Sequence, residues 1–290
     1  MPPPSSGGAH LVQMLNILER WPLRDWGPNS AQTVHHMAEA MKLAYADRAE
    51  YLGDPAFVSV PLAGLTSKKY ADTLAQQIRP DSARSAQTIK PGQPLPFESD
   101  QTTHYSVVDQ AGNMVAVTYT LNTNFGSGIV AAGTGILLNN EMDDFSAKPG
   151  VPNAYGLVGG AANAVAPGKR PLSSMTPTLV LKEQQPWLVT GSPGGARIIT
   201  TVLQQIVNGI DFGMNPAEAA AAVRFHHQWM PDELRVEKGF SPDTLHLLRQ
   251  KGQNVVVKPA MGRTQTIQVQ GQALWGYSDP RNPDGLTLGY

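Results

Sequence analysis

The 290 residues include no cysteine, which removes thiol nucleophiles, thiolate metal sites and disulfides together. Charge is also scarce: Asp, Glu, Lys and Arg make up 16% of the chain, against about 25% in ordinary soluble proteins. Neither sign dominates, since 22 Lys+Arg stand against 23 Asp+Glu, a net charge of −1. That balance gives no electrostatic ground for a nucleic-acid partner. No run approaches about 18 consecutive apolar residues, so no membrane span is expected. The opening Met1-Pro2-Pro3-Pro4-Ser5-Ser6-Gly7-Gly8 has neither a basic nor an apolar region, so it is not read as a signal peptide.

Glycine (28) and proline (24) are plentiful but scattered, which points to shaped turns in place of low-complexity disorder. Ala9 to Glu19 has the apolar spacing of a buried helix, and Ser30 can cap a second helix running to about Tyr51. A third is expected from about Thr66 to Pro80, with Tyr70, Leu74 and Ile78 on one face. Residues 81–101 hold few apolar side chains and read as an exposed, mobile linker. Beyond it, Thr103–Val108 and Met114–Leu121 read as one hairpin, Thr178–Leu181 with Trp187–Thr190 as a second, and Thr264–Val269 with Ala273–Tyr277 as a third. Helices at Arg197–Val207, after the capping set Asn215-Pro216-Ala217-Glu218, and after Ser241-Pro242 complete the pattern. Helices, strands, helices and strands follow in blocks, so the expected class is α+β.

Without cysteine, a nucleophile must be Ser, Thr, Lys, Asp or Glu. Gly191-Ser192-Pro193-Gly194-Gly195 resembles a nucleophile elbow only superficially, because Pro193 occupies the central position. Its consecutive glycines, on a strand-to-helix turn, instead offer unblocked backbone N–H groups of the kind that stabilise an oxyanion; a tight structural turn is the plainer reading. Thr102 opens a strand straight after the linker. If the chain were cut before it, the freed α-amine, with a pKa near about 7.7, could act as base for the same residue's hydroxyl. The plainer alternative is a threonine starting a strand. The pairs His35-His36 and His226-His227 lack metal-site spacing and read as structural, and Asp143-Asp144 reads as turn acids.

Gln101-Thr102-Thr103-His104-Tyr105-Ser106-Val107 resembles the processing site of the γ-glutamyltransferases (glutathione hydrolases), which belong to the N-terminal-nucleophile hydrolases. The likeness continues through Thr118 to Asn122, Leu138 to Phe145, Pro171 to Pro177, Gly191 to Gly195, Arg224 to Gln228 and Ser278 to Arg281, in family order. Pro2 to Gly8 resembles a motif internal to the large subunit.

The resemblance implies a four-layer αββα sandwich lacking much of the large-subunit half, with 1–101 the end of the large subunit and 102–290 the small, catalytic subunit. It implies autocatalytic cleavage between Gln101 and Thr102. Thr102 would then carry the γ-glutamyl group of glutathione and related compounds as an ester, passed to water or to an amino-acid or dipeptide acceptor. Thr120 would steady the nucleophile, and Gly194 and Gly195 would hold the oxyanion. Asn122, Glu141 and Asp144 match the α-ammonium pocket, although Glu141 stands where bacterial relatives often have Gln. Ser173 and Ser174 match donors to the α-carboxylate, and Tyr155 belongs to a lid over the site. The resemblance implies no cofactor and no metal, a periplasmic or extracellular location, and a need for the missing N-terminal large-subunit portion, which carries an arginine for the α-carboxylate. Two alternatives stand beside it: a truncated, non-catalytic fragment, and a cephalosporin-acylase-like amidase on the same fold.

Overall fold

A computed structural model describes residues 1–94, 105–123 and 125–289. Helix α1 (Gly7–Leu18) starts where the chain has no room for a side chain, since a Cβ on Gly7 would lie 2.2 Å from the Met175 carbonyl oxygen. The residues before it run beside 173–175. The Ser6 N–H donates to the Ser173 carbonyl and the Ser173 N–H to that of Pro4, both at 2.9 Å. After the short α2 (Leu23–Trp26), the Ser30 hydroxyl accepts the Thr33 N–H and starts α3 (Ala31–Tyr51) as expected. After a short α4 (Leu62–Leu65), the third expected helix is α5 (Lys68–Ala75), which Ser67 caps by accepting the Tyr70 N–H and which ends short of Pro80. Tyr70, Leu74 and Ile78 are buried, as the spacing required.

The hairpin of β1 (Ser106–Val108) and β2 (Met114–Ala116) is shorter than anticipated. Its last backbone bond runs from the Val117 N–H to the Tyr105 carbonyl, and Thr118 to Thr123 leave the strand to line a cleft. The second hairpin, β3 (Thr178–Lys182) and β4 (Gln185–Thr190), leads into α6 (Ile198–Ile210). Asn215 and Glu218 form the expected capping box of α7 (Pro216–Ala221). Next come β5 (Phe225–His226), β6 (Leu234–Val236), the Ser241-capped α8 (Pro242–Gln250) and β7 (Val255–Val257). The chain closes on β8 (Gln265–Gln270) and β9 (Ala273–Ser278). Strand order is β3-β4-β8-β9 in one sheet and β5-β6-β7 in another, where β6 and β7 pair in parallel. That parallel pair was not foreseen.

The layers follow from burial. α1, α3, α5 and α6 share one apolar core with Leu188 of β4, behind the four-stranded sheet. The β1–β2 hairpin packs on that sheet's strands. On the hairpin, the cross-strand pair Val107 and Val115 stays exposed. Helix, sheet and hairpin thus supply three layers of the αββα order.

The described part of the supposed linker departs from expectation. Ala86 and Ile89 are buried, a short 3₁₀ turn spans Ala86–Thr88, and the Ala86 N–H donates to Asp232 at 2.8 Å. Segment 81–94 is a strap held by backbone bonds to buried polar groups, which its own apolar content could not reveal. The adjacent histidines are structural: His35 bonds the Arg79 carbonyl, His36 lies between Trp21 and Trp26, His226 bonds Thr200 and Gln228, and His227 meets Asp232.

Candidate active site

A cleft of about 610 Å³ opens between the wall Thr118–Thr123 and the turn that enters α6. At that turn Gly194 has φ +144° and Gly195 φ +56°, conformations that side-chain-bearing residues rarely adopt. A Cβ on Gly195 would lie 2.4 Å from the Tyr155 ring. Among the described residues, neither glycine N–H meets a hydrogen-bond acceptor. The turn is held from behind, where the buried Tyr45 hydroxyl of α3 donates to the Ala196 carbonyl.

Opposite lies a short acidic turn, Glu141–Asp144. Asp144 lines the cleft, and burial pushes its carboxyl up to about 7; Arg48 opposes that rise, while Glu141 and Asp143 add to it. Glu141 is not among the cleft-lining residues, and burial holds its carboxyl above the usual range. Nearby, the Asn122 N–H donates to the Thr120 hydroxyl at 2.7 Å, and Asn122 Nδ2 to the Asn140 carbonyl at 3.2 Å. Ser173 Oγ accepts the Met175 N–H at 3.0 Å.

Ser174 has a partner that sequence reasoning missed. Arg48 of α3 is buried and donates from Nη2 to Ser174 Oγ and from Nε to Ser6 Oγ, both at 2.9 Å. It therefore places a cation behind the serine pair and beside Asp144. Nothing in its helix distinguished it; only the parallel run of 4–6 along 173–175 brings Ser6 and Ser174 to it.

Segment 149–160 brings Tyr155 and Leu157 to the cleft. The Tyr155 hydroxyl donates to the Asn122 carbonyl at 2.5 Å, its carbonyl accepts Gln228 Nε2 at 3.2 Å, and the Arg197 guanidinium lies 5.9 Å from its ring centre. The Ala154 N–H donates to Asp143 at 3.0 Å, tying this segment to the acidic turn. Of the expected site residues, Thr120, Asn122, Asp144, Tyr155, Ser173, Ser174, Gly194 and Gly195 line one cleft and Glu141 does not. Gln101 and Thr102 lie outside the described residues. Among those described, no group of three or more His, Asp or Glu is arranged to hold a metal ion, and no helix is long and apolar enough to cross a membrane.

Beneath the cleft, a second buried ionic group fixes β9 to α7. Arg224 pairs with Asp279, Arg281 pairs with Glu237 at 2.6 Å, and both arginines donate to the Ala220 carbonyl.

Residues 1–288 match the family described as gamma-glutamyltranspeptidase. The chain is 66% identical over 291 residues to a glutathione hydrolase proenzyme of Escherichia coli K12, covering all of this chain and 50% of that one. A crystal structure of a Helicobacter pylori gamma-glutamyltranspeptidase mutant is similar at TM-score 0.61 and 57% identity, over 62% of this chain and 99% of that chain. A cephalosporin acylase from Bacillus halodurans is similar at TM-score 0.82 and 29% identity, over 97% of this chain and 49% of that one. The chain spans about half the length of the curated relatives it matches.

Proposed function

The chain belongs to the gamma-glutamyltranspeptidase family, and from that premise we propose that it carries the γ-glutamyl transfer and hydrolysis chemistry, with Thr102 as nucleophile. The observation that supports this most is the pairing, across one cleft, of a glycine turn with free N–H groups and an amino-acid-shaped pocket of Asp144, Asn122 and the Arg48-backed Ser174.

Processing comes first. Thr102 Oγ attacks the Gln101 carbonyl carbon, the peptide C–N bond breaks, and the Thr102 nitrogen takes the proton. Water then hydrolyses the resulting ester, leaving a Gln101 carboxylate and a free Thr102 amine. In turnover that amine accepts the Oγ proton as Oγ attacks the γ-carbonyl of the donor. The Gly194 and Gly195 N–H groups receive the developing oxyanion. Collapse expels the donor's amine, which takes the proton, and leaves a γ-glutamyl ester on Thr102. Water or the amine of an amino acid or dipeptide resolves it. Thr120 steadies the nucleophile, Asp144 and Asn122 receive the substrate α-ammonium, and Ser173 and Ser174 its carboxylate. Glu141 acts at longer range, through its charge on Asp144.

The rest of the relatives' length has a place to go. The exposed outer face of the hairpin, with Val107 and Val115, is the surface we assign to it. The acylase reading is disfavoured by the cation-backed serines and the acid opposite, which suit an α-amino acid head group. Intact-mass spectrometry tests the proposal: the chain should split between Gln101 and Thr102, and Thr102→Ala should remain whole and inactive on a γ-glutamyl anilide. A Thr102→Ala chain that still splits there overturns it.

A further inference from the structure

His226 and Gln228 do not line the cleft, yet both are buried and joined to it by a short relay. Gln228 Nε2 donates to the Tyr155 carbonyl at 3.2 Å and to the Met230 carbonyl at 3.3 Å. With two carbonyls fixing the amide nitrogen, the amide oxygen is left to face His226 Nε2 at 2.9 Å. An amide oxygen only accepts, so His226 carries its proton on Nε2, and its Nδ1 accepts the Thr200 hydroxyl at 2.7 Å. Burial pushes the pKa of this ring down to about 3, which keeps it neutral and in that one tautomer. Tyr45, whose hydroxyl holds the Ala196 carbonyl, meets the same ring edge-on with centres 5.7 Å apart. From the first turn of α6 to Tyr155, every member of the relay therefore has a single orientation.

The far end is equally constrained. Asn153 Oδ1 accepts the N–H groups of Tyr155 and Leu157, both at 3.0 Å, and the Asn153 carbonyl accepts that of Gly156 at 2.8 Å. Gly156 turns at φ +78°, and a Cβ there would lie 3.3 Å from Gln228 Nε2. This closed turn leaves the Tyr155 carbonyl to Gln228, while the ring reaches Gly195 and the hydroxyl reaches the Asn122 carbonyl. Asn122 and Gly195 belong to opposite walls of the cleft, so one side chain spans it. Hydrogen bonds and ring contacts fade within a fraction of an ångström, so the hold on the Tyr155 backbone decides whether both are made.

We propose that Gln228 is a positioning residue for the cleft: by gripping the Tyr155 carbonyl it fixes the ring between Asn122 and the glycine turn, and so sets the space left for an amino-acid head group. The occupant named here rests on the pocket reading given above, whereas the grip itself needs no ligand. His226 acts one step further back, through the amide it orients. When the amide is removed, His226 can carry its proton on Nδ1 and donate to Thr200 instead, so no buried donor is stranded.

The test replaces Gln228 with Met, which keeps the length of the side chain and removes its hydrogen bonds, and with Asn, which keeps the amide but stops short of the Tyr155 carbonyl. Hydrogen exchange of the ligand-free protein is read by mass spectrometry, beside melting temperature and calorimetric affinity for L-glutamate. Both variants should raise exchange in 149–160 about fivefold or more and leave α6 unchanged. Melting should fall by at most about 4 °C, and L-glutamate should bind about fivefold more weakly. In a Tyr155→Ala background, Gln228→Met should remove no further affinity, as a residue acting through Tyr155 requires. Wild-type exchange in 149–160 in either variant overturns the positioning role, as does exchange raised equally in α6 or an affinity loss undiminished in the Tyr155→Ala background. A wild-type chain that binds no L-glutamate overturns the pocket reading instead, and exchange in 149–160 then decides the grip by itself.

Discussion

Lowering the pH from 8 to 6 should weaken L-glutamate binding about tenfold, because the Asp144 carboxyl has been pushed up to about 7. The group stands above its ordinary range, so the carboxylate that pairs with an α-ammonium is present above pH 7 and lost below it. With a midpoint of about 7, the ionised fraction is about nine-tenths at pH 8 and about one-tenth at pH 6. Burial is the largest cause, Arg48 opposes it, and the neighbouring Glu141 and Asp143 add to it. Isothermal titration of L-glutamate across this range reads the effect without requiring turnover, so the titration of the Thr102 amine in catalysis does not intrude. Asp144→Asn should bind weakly at every pH and show no slope. A wild-type affinity that stays within twofold from pH 6 to 8, or an Asp144→Asn slope equal to wild type, refutes the reasoning.

Replacing Arg48 with Met removes the cation near Asp144 and the donor to Ser174, so the same titration should show weaker binding and a midpoint moved to higher pH; an unmoved midpoint would show that the guanidinium does not act on Asp144. Gly195→Ala places a methyl into the Tyr155 ring at a left-handed φ, a conformation that costs roughly 1–2 kcal/mol by itself. Its destabilisation, measured by urea unfolding, should be partly relieved by Tyr155→Leu, with a coupling of about 0.5 kcal/mol or more between the two sites. Asp279→Asn leaves the buried Arg224 without its anionic partner and should lower stability by about 3–5 kcal/mol in urea melts; a loss below 1 kcal/mol would contradict the buried pairing.

What could be read in advance was local. Ser30, Asn215 and Ser241 announced helix starts because a cap acts within three residues of itself. The tight hairpins around Lys182 to Pro186 and Gln270 to Gln272 were visible from their turns. The glycine turn was visible because its consecutive glycines suit backbone angles that other residues rarely adopt. Segment 81–94 was misjudged because its anchors, Glu39, Lys42 and Asp47, lie far upstream inside an otherwise ordinary helix. Arg48 escaped for the same reason: its partners Ser6 and Ser174 stand 168 positions apart in the sequence. The β6–β7 pair was missed because each strand is only three residues long, too short to establish a period. The family likeness brought Glu141 and Asp144 forward together, but the 3₁₀ turn carries only Asp144 to the cleft wall.

The two bonds of Arg48 also make the cleft answerable to a residue that does not line it. Ser6 is fully buried and holds the guanidinium by its Nε edge, 168 positions before Ser174. Removing that one hydroxyl would leave a buried donor without its acceptor, and the cost would fall on the same planar group that faces Ser174. A change within the first ten residues would therefore register at Ser174 with every cleft-lining side chain intact.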